Sequence, residues 1–334
     1  MLASMSRPAW QPDRLAARLP HLARRARLVA ETRAWFAARG YTEVETPCLV
    51  PCPGMEPQLD VFETRFEAKL GEGRENLFLR TSPEFAIKKL LAGGVGSCFE
   101  LARVFRNGEV SERHAPEFTM LEFYVPAMTL DGLMDETEAY CAAMLGWTGS
   151  AARLSVAEAF ARHAGVADLL AVAGDAGALA SAAGIALRAA ESWQDLFFRL
   201  MGERVEPALE QAGAPAFLYH WPASEAALAR RAPHDPRVAD RVELYAAGIE
   251  LANGFVELTD QAEQRARFES WRAERAAMGG SDHGWDEDFL QALATMPDCA
   301  GIAIGFDRLA MLASGARTIA DVLWLPPAPW KADR

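Results

Sequence analysis

The segment Phe99–Tyr124, FELARVFRNGEVSERHAPEFTMLEFY, decides the fold. Two stretches with strand-like alternation flank a short charged loop that opens at Arg106. On the return stretch, a period of two puts Phe118, Met120, Glu122 and Tyr124 on one face. That face offers an aromatic ring, a carboxylate and a phenol, with a guanidinium at the loop mouth. Such groups suit stacking a base, holding an ammonium and clamping a phosphate. A hairpin built only for packing seldom puts a glutamate on its apolar face.

Outward from this hairpin, the chain reads as a folded globular protein. Its 334 residues are 51% hydrophobic, enough for a sizeable core. No apolar run reaches the roughly 18–20 residues of a membrane span, and the N-terminus has no secretory h-region, so a cytoplasmic protein is expected. The five cysteines, Cys48, Cys52, Cys98, Cys141 and Cys299, have no paired spacing and read as free thiols. The net charge of −12 is uneven: residues 1–40 carry eight Arg against Asp13 and Glu31. A globally acidic chain is a poor general binder of nucleic acid, but the segment Arg14–Arg33 suits docking of an acidic partner. A solvated helix face explains the same arginines.

Leu15–Arg39 reads as a helix ended at Gly40, followed by a short strand stopped at Pro47. In LFLRTSPEFAIKKLLAGG, Ser82 suits an N-cap, Pro83 the first helical position and Glu84 the first turn, with Gly93-Gly94 closing the helix. The Ala-rich stretch at about 150–215 has helical composition and few groups for chemistry. Strands resume at 216–222, and residues 241–258 form a hairpin turning near Gly248 with a break at Asn253-Gly254. A polar helix follows from Gln261 to Met278. The end of the chain reads as a strand, a Gly hinge and a helix opened by Asp307 and Arg308.

Glu243, Glu250 and Glu257 are spaced by sevens. A turn at Gly248 and a break at Asn253-Gly254 would each reset strand parity and bring all three to one face, where they repel unless a cation sits between them. Oxygen ligands suit Mg²⁺; three exposed glutamates are the plain alternative. In GIAIGFDRL, Gly301, Ala303 and Gly305 alternate into a flat floor that a ligand can approach. Arg308 at a positive helix end attracts phosphate, while close packing with Asp307 as a cap explains the same residues. His114 is the suggestive histidine. The P-loop, the dinucleotide fingerprint and the nucleophile elbow are all missing from the sequence.

Together these segments resemble a class II aminoacyl-tRNA synthetase catalytic domain of the lysine/aspartate/asparagine group. VAETRAWFAARGYTEVETP (28–47) resembles motif 1, FRNGEVSERHAPEFTMLEFY motif 2, and GIAIGFDRLAMLASGARTIADVLWLP motif 3; TSPEF and GIELANGFVEL match the lysine branch. Motif 1 starts too early for an anticodon-binding domain to precede it. A lysine-type catalytic domain without that domain resembles the elongation factor P–(R)-β-lysine ligase family, as does Ala303, where lysyl-tRNA synthetases usually have Gly.

The resemblance implies an α+β fold with a mainly antiparallel sheet flanked by helices. It implies one catalytic domain over residues 1–334, with a helical insertion at about 150–215. It also implies ATP and Mg²⁺ as cofactors, lysine or (R)-β-lysine as substrate and elongation factor P as acceptor. Two copies would pair through motif 1; no tRNA and no membrane are expected. Arg106 and Arg308 become the catalytic phosphate-binding residues and Phe118 the adenine stack, with Asn107, Glu109, His114, Glu250, Leu251 and Gly305 around the nucleotide. Glu243 and Glu250 would hold Mg²⁺. Ser82, Pro83, Glu84, Tyr124, Asn253, Glu257 and Ala303 would bind the amino acid, Glu84 and Glu257 countering its amines. The chain departs from the synthetase pattern at Gly108, where the R-x-E glutamate is displaced to Glu109, and at Ala115, which replaces a frequent Asn. Other readings are a lysyl-adenylating enzyme serving tRNA or another carrier, and a non-catalytic paralogue that senses an amino acid.

Overall fold

A computed structural model describes residues 8–69 and 71–326; the reading of residues 1–7 lies outside them. In chain order the elements are α1 (Pro12–Ala37), β1 (Thr42–Glu43), β2 (Leu49–Val50), β3 (Phe62–Lys69), β4 (Glu72–Leu79), α2 (Glu84–Ala92), β5 (Cys98–Phe105) and β6 (Glu117–Pro126). Next come α3 (Leu130–Leu145), β7 (Ala152–Ser155), α4 (Val156–Ala159), α5 (Ala176–Ala183), α6 (Trp193–Leu200), α7 (Glu206–Ala212), β8 (Ala216–Pro222) and β9 (Arg231–Ala232). The chain then forms β10 (Asp235–Ala246), β11 (Ile249–Val256), α8 (Gln261–Ala277), α9 (Glu287–Leu293), β12 (Cys299–Gly305), α10 (Phe306–Ser314) and α11 (Ile319–Val322).

The large sheet runs β1-β5-β6-β12-β11-β10-β8-β7, with β9 on β10. Its first and last pairs, β1–β5 and β7–β8, are parallel and the rest antiparallel. A small antiparallel sheet, β2-β4-β3, lies apart. The fold is therefore α+β with a mainly antiparallel sheet, as the resemblance implies. No helix among the described residues is long and apolar enough to cross a membrane.

Alternation gives the sheet two unlike faces. Leu121, Phe123, Ile302, Ile304, Leu244 and Val256 point into the main apolar core, where Leu28, Trp35 and Phe36 of α1 join them. The opposite face carries Phe118, Met120, Glu122, Tyr124, Gly301, Ala303, Asn253 and Glu243 and floors a cleft. Helix α1 starts at Pro12, three residues before the expected Leu15, because Pro fits the first helical position and Asp13 the first turn. Between β7 and β8 the chain is helical, with two π-helical turns (Phe160–Ala164 and Met201–Val205). Its own apolar cluster continues onto Leu218, Trp221 and Tyr245 of the sheet.

Three of the six arginines of α1, Arg18, Arg24 and Arg25, are tied down within the chain, while Arg14, Arg27 and Arg33 are exposed. Arg18 donates to the carbonyls of Ala320 and Leu323, and Arg24 to Glu31 and the Met144 carbonyl. Arg25 is buried against Asp307 at 2.5 Å and donates to Thr119 Oγ1. Asp307 is likewise no cap: Gly305 occupies the N-cap of α10, and Asp307 Oδ2 accepts the Thr119 N–H at 2.9 Å. All five cysteines are free.

Candidate active site

A cleft of about 910 Å³ opens on the polar sheet face, between the β5–β6 hairpin, the β10–β11 hairpin and the start of α10. The hairpin loop raises Arg106 over the Phe118 ring, its guanidinium carbon 5.4 Å from the ring centroid and Nη1 3.8 Å from Glu109. Its Nε is buried without a protein partner. Gly108 turns the loop at φ +78, a conformation that favours glycine, and Glu109 reaches the cleft beyond it. Asn107 does not border the cleft. Its side chain accepts the Gly108 N–H and its own N–H bonds to Asp60 O, so it is a turn residue.

Arg308 enters from the first turn of α10. It donates to the Glu250 carbonyl at 2.7 Å and meets His114 Nε2 at 2.6 Å. A guanidinium only donates, so Nε2 is the acceptor and Nδ1 carries the proton, which faces Ser111 Oγ at 2.7 Å. Burial and the Arg308 charge lower the His114 pKa and keep this ring neutral. A Cβ on Gly305 would stand 3.2 Å from Arg308 Cδ, so glycine there gives the arginine its path.

The β10–β11 hairpin corrects the expected parity. Its strand runs unbroken through Asn253-Gly254. Tyr245 pairs with Glu250 and Leu244 with Ala252, so Leu251 is the extra residue of a bulge. That bulge, not a break, brings Glu250 to the face of Glu243 and Asn253. The Leu251 side chain packs in the main core. Glu243 is buried; Arg241 holds its Oε1 at 2.5 Å and the Tyr245 hydroxyl donates to Oε2 at 2.7 Å. Burial raises its pKa, Arg241 opposes this and the Glu250 charge adds to it. No group of three or more His, Cys, Asp or Glu among the described residues could hold a metal unaided. Two oxygen-donor carboxylates on one cleft face still fit Mg²⁺, which commonly completes its shell with substrate phosphates and water.

At the other end, four carboxylates gather. Glu122 is 1% exposed and accepts from Ser82 Oγ at 2.7 Å and the Tyr124 hydroxyl at 2.8 Å. Ser82 also accepts the Glu84 N–H, but from one position before the cap: Pro83, not Ser82, takes the N-cap position, so Pro83 is not the first helical residue, and it lies buried, away from the cleft. Burial, reinforced by the Glu84 charge, pushes the Glu122 carboxyl up to about 8. Burial and Glu84 likewise raise Glu56. Glu257 lies beneath the cleft wall rather than in a trio with Glu243 and Glu250, and its Oε2 is 2.5 Å from Lys88. A Cβ on Gly301 would overlap the Tyr124 ring and crowd Glu257 Oε1, so that glycine answers to side-chain packing as well as to the cleft.

Of the residues expected to form a site, Ser82, Glu84, Arg106, Glu109, His114, Phe118, Tyr124, Glu243, Glu250, Leu251, Asn253, Ala303, Gly305 and Arg308 border this one cleft. Sequence reasoning gave no role to Lys88, Arg241 or Tyr245, nor a site assignment to Glu122. Helical spacing from Glu84 to Lys88, and strand spacing through Arg241, Glu243 and Tyr245, would have found them.

The comparisons with known proteins agree with this geometry. The family model of tRNA synthetases class II (D, K and N) matches residues 16–328. Proteins named Elongation factor P–(R)-β-lysine ligase from Salmonella paratyphi B and Salmonella schwarzengrund are each 44% identical over 318 residues, covering 94% of this chain and 96% of the relative. The homologue of Salmonella dublin is 44% identical over 321 residues with the same coverage. The chain belongs to the class II synthetase family of the D, K and N type, within the group of elongation factor P–(R)-β-lysine ligases.

Proposed function

We propose that the protein adenylates (R)-β-lysine with ATP and transfers the acyl group to a lysine side chain of elongation factor P, the acceptor named in its relatives. The observation that carries the reading is the polarity of the cleft, with arginines at one end and buried carboxylates at the other. The arginine end suits a triphosphate. The carboxylate end suits a substrate with two amines, because a buried ammonium needs charged partners.

In the first step the substrate carboxylate attacks the α-phosphorus, giving the acyl-adenylate and pyrophosphate. Arg106 and Arg308 stabilise the charge that builds on phosphate oxygens, and Phe118 holds adenine by stacking. Glu243 and Glu250 would hold Mg²⁺, which when bound neutralises phosphate charge. Glu84, Glu122 and Tyr124 position the amines, and Asn253 and Ala303 line the floor beside them. In the second step the acceptor amine attacks the acyl carbon, forming an amide and releasing AMP. Positioning of a deprotonated amine against a good leaving group suffices for this transfer. We further propose pairing of two copies through residues 28–47 and residence in the cytoplasm, whose reducing conditions suit free thiols.

The test is incubation with ATP, Mg²⁺, (R)-β-lysine and purified elongation factor P. The acceptor should gain the mass of one β-lysyl group while AMP accumulates. An unmodified acceptor that a known ligase can still modify would overturn the proposal.

A further inference from the structure

Lys88 lies one helical turn after Glu84 on α2, yet it is no surface pair. Its side chain is 1% exposed, with Nζ 2.5 Å from Glu84 Oε1 and 2.5 Å from Glu257 Oε2. Replacing buried ion pairs with apolar residues is often neutral or stabilising, so stability alone is a weak reason for this arrangement. The surroundings supply a better one. Facing Glu257 are Lys88 and Glu84 of α2, Glu122 and Tyr124 of β6, and Cys299 of β12. Glu56 adds a further like charge to Glu84. A carboxylate in such company, away from water, tends to take up a proton. A neutral carboxyl cannot offer an ammonium the charged partner it requires.

We infer that Lys88 is a positioning residue for the amine substrate, offsetting the Glu257 charge from beneath the cleft wall and fixing the Glu84 carboxylate at that wall. This rests on the adenylation reading above. Burial works against the Lys88 charge, but Glu257 and Glu84 outweigh it and keep the ammonium protonated. Burial raises Glu257, and Lys88 is the largest influence pulling it back. Lys88 thus offsets one negative charge at the corner and pairs with Glu84 as well. The surplus that remains matches a substrate bearing two ammonium groups better than one bearing a single amine.

The experiment is pyrophosphate exchange across a pH series, with wild type, Lys88→Met and Lys88→Arg. In Lys88→Met the KM for (R)-β-lysine should rise about tenfold or more, the equivalent of one pKa unit, while the KM for ATP stays within about twofold. The acid limb of kcat/KM for the amino acid should move to higher pH, because carboxylates that lose Lys88 hold their protons longer. Lys88→Arg should restore most of the amino-acid KM. An unchanged amino-acid KM and pH profile would overturn the inference, as would equal losses for ATP and amino acid. If Lys88→Met does not fold, Lys88→Gln, which keeps a polar end without the charge, should show the same amine-selective loss; a wild-type KM there would overturn the inference. Wild type without exchange on any diamino acid would instead defeat the adenylation reading, and calorimetric binding of (R)-β-lysine to wild type and Lys88→Met would still test Lys88.

Discussion

At one end of the cleft, the guanidiniums of Arg106, Arg113 and Arg308 stand within reach of solvent; at the other, Glu84 and Glu257 flank one buried ammonium, and the buried Glu122 and Glu56 add their charges beside Glu84. The two ends obey different physics. Charges near water act at a distance, draw in a polyanion and weaken with salt. Charges out of water act on contact and answer to pH, because burial makes Glu56, Glu122 and Glu257 weaker acids. On the proposed reading, a single cleft thereby separates capture of the nucleotide from discrimination of the amine.

The sharpest break in this contrast should come from Arg308→Ala. Losing a donor aimed at developing phosphate charge costs about 10²–10³ in rate, so pyrophosphate exchange should nearly vanish while the melting temperature stays close to wild type. Undiminished exchange would remove Arg308 from the phosphate site. Phe118→Ala comes next: stacking of a base on an aromatic ring is worth about 1–3 kcal/mol, so the KM for ATP should rise roughly tenfold. The KM for the amino acid should hold, and a shift in both would mean that the two ends are not separable.

The smallest effect is one of pH. Since Glu122 titrates at about 8 against an ordinary 4.5, binding of the diamino acid should strengthen as pH rises to about 8. The stability of the unliganded protein should move the other way. A carboxyl with a raised folded pKa contributes stability that is complete below 4.5 and lost as pH rises through about 8. Denaturant midpoints of wild type and Glu122→Gln across that range check this, with the midpoint difference expected to change by about 1 kcal/mol per pH unit at most.

The parts of the site legible in the sequence are those written in short periods. Phe118, Met120, Glu122 and Tyr124 share a face because a strand alternates, and Ser82-Pro83-Glu84 marks the helix start to within one residue. What stayed hidden depends on distant partners. Asp307 looked like a cap until Arg25, 282 positions away, proved to hold it. Gly301 looked like floor for a ligand until the ring of Tyr124, its neighbour across the sheet, proved to need the space. The parity of Glu250 turned on one inserted residue, Leu251, and a bulge leaves no periodic trace. Glu257 spaced like a third metal carboxylate, but a lysine from another element holds it.

The Arg25–Asp307–Thr119 junction has a mechanical consequence. No residue of α1 borders the cleft among the described residues, yet its Arg25 braces the position just before Arg308 and the one just after Phe118. The first helix is therefore tied, through one buried arginine, to the cleft end proposed for the nucleotide. Displacing that helix would strand a buried carboxylate beside Arg308, so on the proposed reading the disturbance would register as lost grip on ATP far from where the helix moved.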